Sequence, residues 1–489
     1  MKKIEELLRH IPVLEKTNWD GTVKVSKIEK DSRKIEAGDM FVAFRGAAQD
    51  GHDYISTALQ RGAVAVIYEK GNVKIPANVV GVRVTDAQTL FPELLKREFD
   101  FQDESLKLIG VTGTNGKTTI TQLLYQLISQ KELAGCIGTI NYHLPSGVRE
   151  SSNTTPGPET LIPLLAEMVA DKVHYVAMEV SSHALMQQRV AGLHFDLAIF
   201  TQLTQDHLDY HKDLEDYFQA KRKLFSELHP KKMLINRDCP YGLRLLQEFP
   251  LAKSFSIETE ADYQAVRLSE SLRGSRFGLL YRGRRVEFEI ALPLRYNISN
   301  CTAVLAGLDL LGFNVADFVT ALAAIPYIPG RMERVPHPVI DIFVDYAHTP
   351  DAFIQVLFNV RKLNPKRIIT VFGCGGDRDK GKRPLMTRAA VYFSDVVILT
   401  SDNPRSENPT DILNDMKVGV GADDRTRIQV IEMLDRKQAI EWAVGMAEAG
   451  DVILILGKGH EDYQIIGKEK YHFSDRETVV AALKAKDGE

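Results

Sequence analysis

Two glycines, one lysine and three threonines fall within seven residues, Gly113-Thr-Asn-Gly-Lys-Thr-Thr119. These types at this spacing predict a phosphate-binding loop. Gly113 and Gly116 let backbone N–H groups close around phosphate oxygens at the start of a helix. Lys117 would reach the terminal phosphates, and the Thr118 hydroxyl would sit on Mg²⁺. Glu179 interrupts the apolar run from Val173 to Val180, at the end of an expected buried strand. A buried carboxylate must be paired or bind metal, so Glu179 is expected to share that Mg²⁺. His207 and His211, mixed with Asp206 and Asp209, could form a zinc half-site. No cysteine or acidic metal motif completes it, and His207 is expected as a neighbour of Mg²⁺ instead. The lysines of Tyr217 to Phe225 read, taken alone, as a solvated helix face.

The elements that must position these groups follow from periodicity. The apolar run Leu106 to Val111 predicts a buried strand, and Ile120, Leu123, Leu124, Leu127 and Ile128 predict a helix after the glycine turn. The first glycine usual for such loops falls at Val111, with Gly110 one place early. Before the loop, strands at Met40–Phe44 and Ala63–Ile67, a helix at Tyr54–Arg61 and a run at Val79–Val84 predict a small α/β domain over residues 1–98. Its loop from Arg45 to His52, and Ser32, would suit a phosphorylated or sugar ligand, although turn chemistry explains them equally well. The charged stretch Leu95 to Lys107 predicts a linker into a central domain, 99–330. From Gly330-Arg-Met-Glu333 a third domain, 331–489, alternates strands and helices in the manner of a parallel sheet. Its polar groups follow the strands, where open α/β sheets place ligands: Asp345-Tyr-Ala-His-Thr-Pro350, Gly373 to Asp379, Asp402-Asn-Pro-Arg405 and Gly457-Lys-Gly-His-Glu461. Arg378 stands where a dinucleotide fingerprint needs its third glycine, which argues against NAD. Asn403-Pro404 is also expected to start the next helix.

With 489 residues the chain predicts about three domains. Its 61 basic and 65 acidic residues give a net charge of −4, which argues against a nucleic-acid surface. Cys136, Cys239, Cys301 and Cys374 are far apart and read as free thiols of a reducing cytosol. No apolar run approaches the ~18 residues of a membrane span, and the N-terminus lacks the apolar centre of a signal peptide. A cytoplasmic monomer acting on small molecules is expected.

These motifs, in this order, resemble the Mur ligases, ATP-dependent amide-bond synthetases of bacterial cell-wall precursor assembly. The resemblance rests on Gly113 to Thr119, Met178-Glu-Val-Ser-Ser-His183, Asp206 to His211, Ala220-Lys221, Asn297 to Asn300, Gly330 to Glu333 and Asp345 to His348. It implies a UDP-binding domain, a central ATP-binding domain of mostly parallel sheet and a Rossmann-like third domain. Within the family, Asp402-Asn-Pro-Arg405 implies addition of meso-2,6-diaminopimelate to UDP-N-acetylmuramoyl-L-alanyl-D-glutamate. A guanidinium can grip the second carboxylate that distinguishes this amino acid from lysine.

The resemblance also implies residue roles. Gly113, Thr114, Asn115, Gly116, Lys117, Thr118, Thr119, Asn300, Arg331 and Asp345 would serve ATP. Ser32, Asn153, Thr154, Thr155, Ser181, Gln187 and Arg189 would hold the UDP-muramoyl dipeptide. Arg378, Asp402, Asn403, Arg405, Gly457 and Glu461 would bind meso-diaminopimelate. Lys117, Glu179, His207 and Lys221 would be catalytic. Thr118, Glu179, His207 and Lys221 would attend Mg²⁺, with Lys221 carbamylated to N6-carboxylysine. The alternatives are lysine addition or folylpolyglutamate synthesis on the same scaffold, or a nucleotide-driven switch.

Overall fold

The structure is a computed structural model that describes residues 1–46, 49–208 and 210–488, with only the backbone described at 267, 268 and 425. Asp209, and two residues of the Arg45–His52 loop (47 and 48), therefore lie outside the described residues. By its internal contacts the chain divides into two compact units. The first holds Met1–Thr112, Ile128–Ala198 and Gln219–Met233; the second holds Gly113–Leu127, Ile199–Phe218 and Leu234–Glu489.

Besides a two-stranded pair, Lys2–Lys3 with Lys24–Val25, the first unit holds a five-stranded sheet and part of a larger one. The five strands run in the order Glu15–Thr17, Val80–Arg83, Ala65–Tyr68, Met40–Val42, Ile28–Glu29, parallel except for the first. This is the small α/β layer that the apolar runs predict, with Phe41, Val66 and Ala58 in its core. The helix of that layer is Ile55–Gln60, entered through a short turn of 3₁₀ helix at Gly51–Tyr54.

In the larger sheet, Tyr175–Glu179 lies between Ala134–Ile137 and Lys107–Thr112, parallel to both. The strand Phe195–Phe200 flanks Lys107–Thr112 on its other side. All of Leu108 to Thr112 is buried, as expected of a strand covered on both faces. Gly110 belongs to this strand and not to the loop: a Cβ there would stand 2.8 Å from the Phe195 ring. The charged stretch from Leu95 is not an open linker, because the helix Ala87–Glu98 runs through its start. Lys96 is buried there, bonded to Asp103 and to the Gly192 carbonyl.

The second unit carries the helix Lys117–Ile128 after the loop, and Ile120, Leu123, Leu124 and Leu127 on it are fully buried. Its C-terminal sheet has six strands ordered Glu333–Val335, Asp341–Asp345, Val452–Leu456, Ile368–Cys374, Val396–Ser401, Gln429–Glu432. Only the first is antiparallel. Two apolar clusters cover its faces, one around Phe343, Phe353 and Leu454, the other around Val344, Ile398 and Ile453. Four parallel strands thus deliver Asp345, Gly375, Asp402 and Gly457 at one edge. Pro404 does not start a helix. The next one, Pro409–Lys417, is opened by the second Asn-Pro pair, with Asn408 accepting from the Thr410 N–H. No described helix is long and apolar enough to cross a membrane.

Candidate active site

The phosphate loop is built by close backbone approach. Gly113 has φ 147°, and a Cβ there would stand 1.8 Å from the Thr201 hydroxyl. Gly116 has φ 90°, and its Cβ would stand 2.6 Å from Oδ1 of Asn300. Thr201 donates to the Asn115 carbonyl at 2.6 Å, and the Thr114 N–H donates to the Gln202 carbonyl at 2.7 Å. Lys117 folds back over the loop, its Nζ donating to the carbonyls of Gly113 (2.9 Å) and Thr114 (2.8 Å). Thr118 is buried and accepts from Nη2 of Arg331 at 2.8 Å. The Arg331 guanidinium lies over the Tyr346 ring at 4.9 Å, and its buried Nε has no hydrogen-bond partner among the described residues.

Asp345, 6 % exposed, accepts from the backbone N–H groups of Met332 (2.6 Å) and Ala347 (2.7 Å). Burial raises its pKa against the pull of Arg331. Thr114, Lys117, Thr118, Asn300, Arg331 and Asp345 thus come together around one loop. Asp351 joins them: its Oδ2 accepts from Thr204 (2.8 Å) and Asn115 (3.4 Å). Sequence reasoning missed it, because an acid in the first turn of a helix is ordinarily a dipole partner.

In the first unit, Glu179 pairs in register with Val111, one strand across from the strand that feeds the loop. Its carboxylate, 1 % exposed, accepts from Thr139 through the backbone N–H (2.7 Å) and the hydroxyl (3.1 Å). Gly138 makes room for it, since a Cβ would meet Oε1 at 2.5 Å. Around it, the Thr154 hydroxyl lies 3.0 Å from that of Thr139. Thr155 donates to the Glu179 carbonyl at 2.8 Å and accepts from the Ser181 N–H at 3.0 Å. Arg189 donates to the Thr155 carbonyl (2.7 Å) and to Oε1 of Gln187 (2.7 Å). Thr154, Thr155, Ser181, Gln187 and Arg189 therefore form one cluster with Glu179. Asn153 is exposed beside them, and its carbonyl accepts from Tyr142 at 2.8 Å. Ser32 is in the other sheet layer, buried behind the turn that Asp31 caps.

His207 is half-exposed, takes φ 53° and faces Asp206, with 3.4 Å from Nε2 to Oδ2. His211 turns inward to Asp216, 3.2 Å from Nδ1, and its ring packs against that of Tyr217, which the His207 ring also meets edge-on at 6.1 Å. Among the described residues no three His, Cys, Asp or Glu side chains form a metal-holding group. A Mg²⁺ that keeps its waters and leans on substrate phosphates needs only one or two protein oxygens, and the Thr118 hydroxyl is an oxygen of that kind.

Lys221 contradicts the solvated-face reading: it is 1 % exposed on the helix Leu214–Ser226. A signal was present, since 217, 221 and 224 follow helical spacing and Tyr217 and Leu224 are core residues.

At the edge of the C-terminal sheet, Asp402, Asn403, Gly457 and Glu461 meet. Asn403 donates to Oε2 of Glu461 at 2.9 Å, and a Cβ on Gly457 would stand 2.8 Å from Oδ2 of Asp402. Burial raises the pKa of Glu461, and the nearby Asp402 adds to it. Arg405, at φ 52°, donates from Nη1 to the carbonyls of Gly376 (2.9 Å) and Asn403 (3.4 Å). A Cβ on Gly375 would stand 3.0 Å from Nη1 of Arg405 and 3.7 Å from Cγ of Arg378, so both arginines border that glycine. Arg378 is exposed and lines a cavity of about 590 Å³ with Asp377, Asp379, Lys380 and Glu407. Arg383, 0 % exposed, braces this loop by a paired bond to Glu407 (2.8 and 3.0 Å), whose pKa falls to about 2 chiefly through that arginine.

Comparison with known proteins places the chain in one family. The UDP-N-acetylmuramoyl-L-alanyl-D-glutamate–2,6-diaminopimelate ligase 1 of Clostridium acetobutylicum is 40 % identical over 95 % of this chain and 96 % of its own. The chain belongs to the Mur ligase family. Family models agree piece by piece: the Mur ligase family catalytic domain matches residues 24–99, the Mur ligase middle domain 111–308, and the Mur ligase glutamate ligase domain 330–459. The 2,6-diaminopimelate ligase of Fusobacterium nucleatum is 42 % identical over 95 % of both chains. A solved 2,6-diaminopimelate ligase superposes with a TM-score of 0.71 at 32 % identity, covering 99 % of each chain. Three Mur-type α/β domains are therefore the architecture of this protein.

Proposed function

We propose that this protein is an ATP-dependent ligase that adds meso-2,6-diaminopimelate to UDP-N-acetylmuramoyl-L-alanyl-D-glutamate, a step of cytoplasmic peptidoglycan precursor synthesis. The observation that carries the reading is the cluster Asp402, Asn403, Arg405, Glu461 in a chain about 40 % identical to 2,6-diaminopimelate ligases over 95 % of its length. Asp402 and Glu461 offer anions to an ammonium, and Arg405 and Arg378 offer guanidinium groups to a carboxylate. A lysine side chain ends in an ammonium alone and would bring no carboxylate to either arginine.

A carboxylate does not form an amide directly, because hydroxide leaves poorly. A carboxylate oxygen of the D-glutamyl residue takes the γ-phosphoryl group of ATP, ADP departs, and an acyl phosphate results. The amine of diaminopimelate then attacks the acyl carbon, and the tetrahedral adduct loses a proton and expels phosphate. The chain positions the reactants and neutralises charge. Lys117 would leave its loop carbonyls for the terminal phosphates, while the N–H groups of the loop cradle them. Arg331 and Asp345 would hold the nucleotide; Thr154, Thr155, Ser181, Gln187 and Arg189 would hold the muramoyl dipeptide. Mg²⁺, when bound, supplies charge neutralisation of the phosphates; Thr118 and Glu179 would hold it, with His207 and Lys221 attending. A buried ammonium at Lys221 is costly, and carbamylation would convert it to an anion suited to a cation.

Lys117→Ala is expected to abolish amide formation while leaving the thermal midpoint near that of the parent. Undiminished turnover in that variant would exclude the loop from phosphoryl transfer.

A further inference from the structure

Lys458 stands between Gly457 and Glu461 in a loop that sequence reasoning assigned to diaminopimelate without giving the lysine a role. Its side chain is 0 % exposed. Nζ lies 3.2 Å from Oδ1 of Asn403, 3.4 Å from Oε2 of Glu461 and 3.5 Å from Oδ1 of Asp402. A lysine is almost never fully buried unless its charge is paired, and this one is paired twice over.

The turn drives it inward. Gly457 at φ 115° packs against Asp402, and Gly459 at φ 54° packs against the Tyr346 backbone, where a Cβ would stand 2.8 Å from Cα. The Glu461 N–H donates back to the Lys458 carbonyl at 3.0 Å. The cation therefore has one place to go, between two carboxylates that arrive from different strands.

We propose that Lys458 is a positioning and specificity-determining residue that holds the side chains of Asp402, Asn403 and Glu461 at fixed spacing, so that the two carboxylates are presented together to one substrate ammonium. The inference rests on the reading of this cluster as the amino-acid site. Asp402, Glu461 and Lys458 sum to −1, matched to the one incoming ammonium, while Arg405 is matched to the substrate carboxylate. Without the lysine, Glu461, whose carboxyl burial and the nearby Asp402 push up, would lose the cation that draws it back down, and Asn403 would lose one of the charges that orient its amide. Other charged or titratable groups around the cluster include His460, Tyr346, Tyr463, Arg436 with its partner Asp475, Cys374 and Arg405. Of these, Arg436 is committed to Asp475 at 2.7 Å and Arg405 to backbone carbonyls, so neither replaces Lys458.

The test is steady-state kinetics of Lys458→Met with ATP, the UDP-muramoyl dipeptide and diaminopimelate, from pH 6 to 9. The expected result is a KM for diaminopimelate raised about tenfold or more at pH 7. That KM should fall toward high pH with a new ionisation that the parent lacks, while KM for the other two substrates stays within about twofold. An unchanged KM and pH profile in a folded variant would overturn the inference. If the single variant does not fold, Asp402→Asn/Lys458→Met, which removes one carboxylate with the cation, is expected to recover the parent's thermal midpoint; failure to recover it would count against charge balance as the lysine's role. If the parent itself does not use diaminopimelate, the assignment of the reaction fails, a result distinct from either of these.

Discussion

Arg331 places its guanidinium on the hydroxyl of Thr118, with Nη2 donating to Oγ1 at 2.8 Å. The arginine comes from the Gly330-Arg-Met turn, and Gly330 must be glycine there: at φ 64° its Cβ would stand 2.1 Å from the His460 nitrogen. In this arrangement Thr118, the hydroxyl expected to face a metal, serves as an acceptor. The buried Nε of Arg331 is left for a further acceptor such as a phosphate. Arg331→Met is therefore expected to lower kcat/KM for ATP by about 10²-fold, with KM for the UDP-muramoyl dipeptide unchanged. Initial-rate measurements decide it; unaltered ATP kinetics would confine Arg331 to a structural part.

A second arginine ties the loops after Ser401 and Leu456 to the sheet. Arg436 and Asp475 are both fully buried and share two bonds of 2.7 Å. Arg436 also donates to the carbonyls of Leu456 (3.1 Å) and Ser401 (3.4 Å), the residues immediately before Gly457 and Asp402. Arg436→Met would strand a buried carboxylate, at a cost of about 3–5 kcal/mol. Arg436→Met/Asp475→Leu removes both charges and is expected to recover most of the lost thermal midpoint. A double variant as unstable as the single one would show that the carbonyl contacts, and not the charge, matter.

Stability should also depend on pH through Glu98. Burial pushes its carboxyl up to about 7 from 4.5, with Asp39 and Glu29 adding repulsion against the Ile28 N–H and Lys27. The folded protein thus holds this proton more tightly than the unfolded chain. The associated stability is complete below about pH 4.5 and is lost as pH rises through about 7. Glu98→Gln mimics the protonated form, so it should match the parent near pH 4.5 and exceed it by about 2 kcal/mol at pH 8. Thermal midpoints at both values check this. An equal offset at both would refute the raised carboxyl.

Local signals carried much of this far. The apolar periods of Leu106–Val111 and Ile120–Ile128 correspond to a buried strand and a buried helical stripe, because their neighbours on both faces are apolar whatever the tertiary arrangement. The loops after Asp345, Gly373, Ser401 and Leu456 lie at one sheet edge because a parallel sheet puts all its strand ends together. What sequence did not disclose depends on distant partners. Lys458 is 55 residues from Asn403, and Arg436 is 39 from Asp475; no period links such pairs. Lys221 was misread by residue type, although its place on the apolar stripe pointed inward. Pro404 was misread because two Asn-Pro pairs stand five residues apart, and only the second has an asparagine capping a helix.

The most direct test of the reaction is mass spectrometry of products from ATP, Mg²⁺, the UDP-muramoyl dipeptide and an equimolar mixture of meso-diaminopimelate and L-lysine. The diaminopimelate adduct is predicted as the dominant product, with Arg405→Ala losing that preference by about 10-fold or more. A lysine adduct in comparable yield from the parent, or ATP hydrolysis with no amide product, would contradict the account.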